Sequence, residues 1–273
     1  MNLADGINAL ELDLPAGAEE KLAAYLALLV KWNKVYNLTA IRDPAEMVTH
    51  HLLDSLAVIQ AIQKSSTLSL NPRLRAPRSA MQCRPATRAG SMLPETPARP
   101  EMGEGSCPPP LSSCGRAVGR EGLAGCNAPH GVRRQANEAF TLADVGSGAG
   151  LPGLVLALAR PDWSITCIET VDKKAAFQRQ AKIELGLSNV SIHCGRVEYL
   201  KGTFSAVISR AFASLGDFVR LAGHLSPCLW AMKGGYPADE ITALPAGWRV
   251  SASHPLKVPG MNAERHLLQL EKT

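Results

Sequence analysis

The sequence predicts a mostly parallel, doubly wound α/β sheet preceded by a small helical unit. Three observations carry this. From residue 141 onward, apolar runs that read as strands alternate with runs that read as helices. The first of these strands leads into DVGSGAGLPG, residues 144–153, a glycine-rich turn at a strand–helix junction. The last two apolar runs, 248–254 and 265–270, are separated by a short link containing Pro259 and Gly260, too short for a parallel crossover, which predicts an antiparallel pair at the end of the sheet.

The elements follow in order. Leu22, Leu26, Leu29 and Tyr36, with Tyr25, Val30 and Trp32 beside them, have helical spacing and predict a helix over 18–36. Trp32, Asn33, Tyr36 and Asn37 at its end read first as packing and capping residues. Asp43, Pro44 and Glu46 form a start signal: Asp43 caps, Pro44 suits the first turn, and Glu46 can reach back. The helix they open carries Met47, His51, Leu52, Leu56 and Ile59, and His51 and Asp54 on one face read as a structural pair that caps or cross-links helices, or else as residues bordering an entrance for a large substrate. Residues 1–64 are therefore expected to be a helical unit. Residues 65–138 contain no Phe, Tyr, Trp, Ile, Lys or Asp but ten of the nineteen prolines. Such a stretch has too little to bury to offset its ordering entropy, which predicts a disordered or loosely folded insert. Residues 139–273 form the α/β core, with strands expected at 141–145, 164–169, 190–194, 204–209, 228–233, 248–254 and 265–270. Helices are expected at 153–160, 172–186, 214–225 and 237–243.

Composition removes several function classes. The insert holds ten Arg against five Glu, which accounts for the whole net charge of +5. The basic balance is therefore no sign of a nucleic-acid surface on the folded part. Cys83, Cys107, Cys114 and Cys126 in the insert form no C-x-x-C pair, so no metal site is expected. Cys167, Cys194 and Cys228 fall in strands and read as small buried hydrophobes. An odd cysteine total without a paired framework suits a reducing cytoplasm. The first residues lack a secretory pattern, and the most apolar helix is too short to span a bilayer.

The glycine turn defines a candidate ligand site. Gly146, Gly148 and Gly150 follow Asp144 in a G-x-G-x-G pattern. A dinucleotide fold wants its third glycine one residue later. The spacing found here looks like the first motif of S-adenosylmethionine-dependent methyltransferases, in which such a turn holds the methionine part of the ligand. A plain glycine-rich β-turn is the alternative. Glu169 ends the second strand, where a carboxylate can accept from ribose hydroxyls of either ligand, or simply face solvent. Gly195, Arg196, Val197 and Glu198 follow the third strand: by themselves they read as a turn, or as a ligand wall in which Val197 suits an adenine ring and Glu198 its exocyclic amine, while Arg196 can pair with Glu198 or face solvent. Arg210 ends the fourth strand and can hold an acceptor-rich group or pair with a nearby carboxylate. Lys233, before Gly234 and Gly235, is a second cation on that rim. The Asn/Asp-Pro-Pro-aromatic turn of many amine methyltransferases is absent after the fourth strand.

LVKWNKVYNLTAIRDPAEM (29–47), HLLDSL (51–56), DVGSGAGLPG (144–153), ISRAFASL (208–215), MKGG (232–235) and ERHLL (264–268) together resemble one family. It is the bacterial 16S rRNA guanine-N(7) methyltransferase family, also called the glucose-inhibited division protein B family. The likeness covers roughly 18–64 and 140–271. It implies a class I S-adenosylmethionine-dependent methyltransferase fold, a Rossmann-like sheet, with S-adenosyl-L-methionine as donor. It also implies a guanosine of 16S rRNA in the small ribosomal subunit as acceptor. Cofactor positions carried over by this likeness are Gly146, Leu151, Val197, Glu198 and Arg210; the residue reading adds Gly148 and Glu169, and offers Arg210 and Lys233 for the substrate. Nitrogen 7 of guanine carries a free lone pair, so no general base is expected. A cytoplasmic monomer without membrane or metal partners is the matching expectation. Two features depart from the family: His50 stands where many members have Arg or Lys, and some seventy residues separate the helical unit from the first strand. A small-molecule methyltransferase, or a cofactor-binding protein inactivated by the insert, is the alternative.

Overall fold

The computed structural model describes residues 1–68, 139–210, 212 and 214–273. The expected insert and its four cysteines lie outside the described residues, except for the few positions taken up by the helix that precedes it.

The N-terminal unit opens with α1 (Leu3–Ala9), capped by the Asn2 side chain on Asp5 N–H, and α2 (Ala18–Tyr36). Leu22, Tyr25, Leu28, Leu29 and Asn33 form the buried face of α2, and Tyr36 is exposed. Asn37, in the left-handed region, ends the helix. Asn33 shapes the following loop by accepting from Thr39 N–H at 2.9 Å and donating to Ile41 O at 3.1 Å. Asp43 caps α3 (Pro44–Met47) by accepting from Ala45 N–H at 3.0 Å. The single helix expected beyond Asp43 is broken up. A π-helical turn, Val48–Leu53, separates α3 from α4 (Asp54–Leu56), and α5 (Ile59–Leu68) follows, carrying the unit past residue 64.

The seven strands are β1 (Thr141–Val145), β2 (Ser164–Glu169), β3 (Val190–Cys194), β4 (Ala206–Arg210), β5 (Cys228–Lys233), β6 (Trp248–Pro255) and β7 (His266–Lys272). Between them run α6 (Gly153–Ala159), α7 (Asp172–Glu184), α8 (Leu215–Ala222) and α9 (Ala238–Thr242). The sheet order is β3-β2-β1-β4-β5-β7-β6. All pairs from β3 to β5 are parallel, and β7 runs antiparallel to both β5 and β6. The reversed strand thus sits between β5 and β6 and not at the sheet's edge. This is the class I methyltransferase sheet.

Burial follows sheet position. β1 is buried at nearly every residue because helices cover both faces, whereas edge strand β6 alternates. One apolar core joins Leu142, Ile165, Ile208, Trp230 and Leu267 to Leu22, Leu29, Leu52 and Leu56 of the N-terminal unit. The opposite face packs Ala143, Val207, Leu229 and Leu268 against Phe218 and Val219 of α8. The N-terminal helices are therefore one layer of the sheet's own core.

Candidate functional site

Strand order reverses between β1 and β4, and a cleft of about 480 Å³ opens beside this point at the carboxyl ends of the strands. Its size falls within the range of about 300–1,000 Å³ usual for small-molecule sites. Val145, Gly146, Ile168, Gly195, Val197, Glu198 and Phe212 are among its walls.

The glycine turn is built by backbone pairing. Gly146 and Ser147 both donate to Ile168 O, at 2.9 and 3.2 Å. Gly150 and Leu151 donate to Ser147 O, at 2.7 and 2.8 Å, closing the turn into α6. Gly146 has φ +70° and Gly148 φ +60°, conformations that glycine adopts without strain. A Cβ on Gly146 would meet nothing within 4 Å, so the turn leaves open space where a bulky ligand can approach. Leu151 is buried and belongs to the core behind the turn.

Asp144 lies fully buried below the turn, and its Oδ2 accepts from Gly153 N–H at 2.8 Å. Burial raises its carboxyl to about 7, opposed by that N–H and by the Arg210 charge. Glu169 is buried at the end of β2. Oε2 accepts from Gly148 N–H at 2.7 Å and Oε1 from Val171 N–H at 2.9 Å. The Thr170 hydroxyl also donates to Oε1, at 3.5 Å, and since a carboxylate offers about four lone-pair sites some capacity remains beyond these bonds. Glu198 is paired with Arg196 at 3.1 Å, and its carboxyl is held below the ordinary range by its own backbone N–H and then by Arg196.

Of the residues expected at the site, Gly146, Val197 and Glu198 meet at the cleft wall. Gly148 of the turn and Glu169 at the end of β2 are joined by their hydrogen bond, behind the cleft wall. Arg210 and Lys233 are not among the wall residues. Arg210 Nη1 donates to His50 O at 3.0 Å and to Asp54 Oδ2 at 3.3 Å. Lys233 Nζ donates to Glu240 Oε2 at 2.8 Å and to Phe212 O at 3.4 Å. His51 and Asp54, expected as a structural pair capping or cross-linking helices, each tie down a different segment. His51 Nε2 bonds Thr39 Oγ1 at 2.8 Å, and Asp54 instead bridges Arg210 to Arg265 Nε, at 3.2 Å. The strand cysteines also differ from expectation: Cys167 is buried, but Cys228 is only partly so, and the Cys194 thiol donates to Asp172 Oδ1 at 3.0 Å.

Several contributors carry no local signal in the sequence. Phe212 enters the cleft from the ISRAFASL segment, and Tyr25 and Gln178 reach the glycine turn from α2 and α7. Only the fold brings these distant positions together. Among the described residues there is no cluster of metal-ligating side chains, and no helix long and apolar enough to cross a membrane.

The family model described as rRNA small subunit methyltransferase G matches residues 18–70 and 130–268, leaving 71–129 outside the match. A protein of Azoarcus sp. (strain BH72) named Ribosomal RNA small subunit methyltransferase G is 44% identical over 275 residues, covering 99% of this chain and 95% of that protein. One of the same name from Aromatoleum aromaticum is 43% identical over 279 residues, covering 99% and 97%. Among solved structures, TrmN from Thermus thermophilus is 18% identical with a TM-score of 0.41, covering 50% of this chain and 44% of that one. On the family match and these relatives, the chain belongs to the rRNA small subunit methyltransferase G family.

Proposed function

We propose that this protein transfers the methyl group of S-adenosylmethionine to nitrogen 7 of a guanosine in the 16S rRNA of the small ribosomal subunit. The observation that carries the reading is the cleft at the strand-order reversal, walled by the open glycine turn and by Val197 and Glu198, in a chain of this family.

The residues present suit the donor. The turn at Gly146 and Gly148 holds its methionine part, Glu169 accepts from the ribose, and Val197 and Glu198 receive the adenine. Leu151 backs the turn from the core. When bound, S-adenosylmethionine supplies an electrophilic methyl on a positively charged sulfur. The acceptor nitrogen already has its lone pair, so no side chain has to remove a proton. The protein's part is to hold and align, which can contribute on the order of 7–11 kcal/mol. Arg210 engages His50 O and Asp54 through Nη1, which leaves Nε and Nη2 to face the acceptor. Lys233 is neutralised by Glu240 and acts on the acceptor only through the Phe212 backbone it steadies. The acceptor base must be unstacked to enter, which a loop or single strand permits most cheaply.

We place the site in residues 1–64 and 139–273, all of which but Ala211 and Ala213 are described. A ribosomal RNA acceptor puts the protein with ribosomes in the cytoplasm, and large exposed apolar residues such as Val35, Ile183 and Tyr199 lie scattered along the described chain, which suits a monomer. Incubation with methyl-labelled S-adenosylmethionine and small subunits lacking the modification should place label in 16S rRNA at guanine nitrogen 7. Label only in free nucleosides or other small molecules would overturn the RNA assignment, and no label in any acceptor would overturn the activity.

A further inference from the structure

The glycine turn is braced from within the protein by two side chains on separate elements. Gln178 of α7 is fully buried and donates through Nε2 to Ser147 Oγ at 2.8 Å and to Gly148 O at 2.7 Å. Tyr25 of α2, also fully buried, donates its hydroxyl to Ala149 O at 2.7 Å. Burial pushes the Tyr25 phenol far above its ordinary range, so it stays a donor. Two consecutive carbonyls are thus drawn inward.

A trans peptide sends the N–H of the next residue to the side opposite its carbonyl. With the Gly148 carbonyl held on Gln178, the Ala149 N–H is turned away from α7. The other donors of the turn are committed: Gly146 and Ser147 to Ile168 O, Gly148 to Glu169, and Gly150 and Leu151 to Ser147 O. Ala149 N–H has no acceptor among the described residues, although the residue is buried. Buried backbone donors without a partner are rare in native proteins, and here the missing acceptor falls at a ligand turn.

We propose that Gln178 and Tyr25 are positioning residues for the methyl donor, holding the turn so that Ala149 N–H meets the carboxylate at its amino-acid end. The inference rests on the cleft being the S-adenosylmethionine site. A hydrogen bond from N–H to an ionised acceptor is among the stronger kinds, so misdirecting this donor costs affinity at one end of the ligand.

The test uses calorimetry on the full chain with two ligands. S-adenosylhomocysteine carries the amino-acid end, and 5′-methylthioadenosine lacks it. Tyr25→Phe keeps the ring beside Phe177, at 6.2 Å between centroids, and removes only the hydroxyl. Gln178→Met keeps the side-chain length without the donor. Each variant should weaken S-adenosylhomocysteine by about tenfold and leave 5′-methylthioadenosine unchanged. In methylation assays KM for the donor should rise, with kcat at saturating donor nearly constant. Equal weakening of both ligands, or of neither, would overturn the proposal, since a merely structural role cannot distinguish them. Tyr25→Phe decides the matter alone if Gln178→Met does not fold. Wild-type protein that binds neither ligand would overturn the donor-site reading itself, and the bracing role with it.

Discussion

Burial on every side raises the Asp144 carboxyl to about 7 from an ordinary 3.8, so the folded chain holds a proton there that the unfolded chain releases. Stability from this group is fully present below 3.8 and is lost as pH rises toward about 7. His51 has the opposite sign. Burial first, and then the Arg210 charge, lower it to about 4 from 6.5. The unfolded chain therefore takes up a proton between 6.5 and about 4 that the folded chain refuses, and stability falls on acidification through that window. The two effects oppose each other between about 4 and 6.5. Asp144→Asn should leave the His51 slope uncovered, with the urea midpoint dropping as pH falls from 6.5. His51→Gln should leave the Asp144 slope, with the midpoint dropping as pH rises toward 7. Parallel curves for wild type and both variants would show that neither group is linked to folding. At this scale the sequence disclosed Asp144, the glycines, Glu169 and Glu198, because each occupies a strand end or a turn where its chemistry is local. Tyr25 and Gln178 stayed hidden, because a polar group on the inner face of a helix is identified only by what it meets there.

Asp54 links elements that are far apart in the chain. It is buried at the start of α4 and accepts from Arg210 at the end of β4 and from Arg265 just before β7. Arg210 and Arg265 remain 23% and 24% exposed at their side chains, so solvent screens part of the interaction. Asp54→Ala should cost about 2–3 kcal/mol, below the range usual for breaking a fully buried pair. Calorimetric unfolding would read this as a fall of several degrees in Tm, and an unchanged Tm would mean the bridge contributes nothing to the fold. The strands and helices of the core were legible because hydrophobic periodicity and strand-end turns are local signals. The π-helical turn at Val48–Leu53 was not: its pattern reads as a continuing helix. His51 and Asp54 accordingly reach different partners instead of each other.

For the whole molecule, the family match runs through residues 18–70 and resumes at 130. Deleting 71–129 and joining the ends with a short Gly-Ser linker should therefore preserve calorimetric binding of S-adenosylhomocysteine and raise Tm slightly if it changes it at all. Closing a shorter loop costs less entropy, though the dependence on length is weak. Loss of donor binding in the deleted chain would show that these residues support the site after all.

Residue order alone was enough to specify an alternating α/β core, a glycine turn shaped for a nucleoside ligand, and membership of a methyltransferase family. The first two depend on near neighbours, through period-two and helical apolar patterns and backbone angles open to glycine, and the family on the likeness of six short motifs. Chain folding was needed to place β7 between β5 and β6, to make the N-terminal helices part of the sheet's core, and to engage Arg210 with Asp54 instead of the cleft wall. Each of these is a contact between distant segments: burial of apolar faces decides the helices, strand hydrogen bonding places β7, and the buried Asp54 carboxylate draws Arg210 to it.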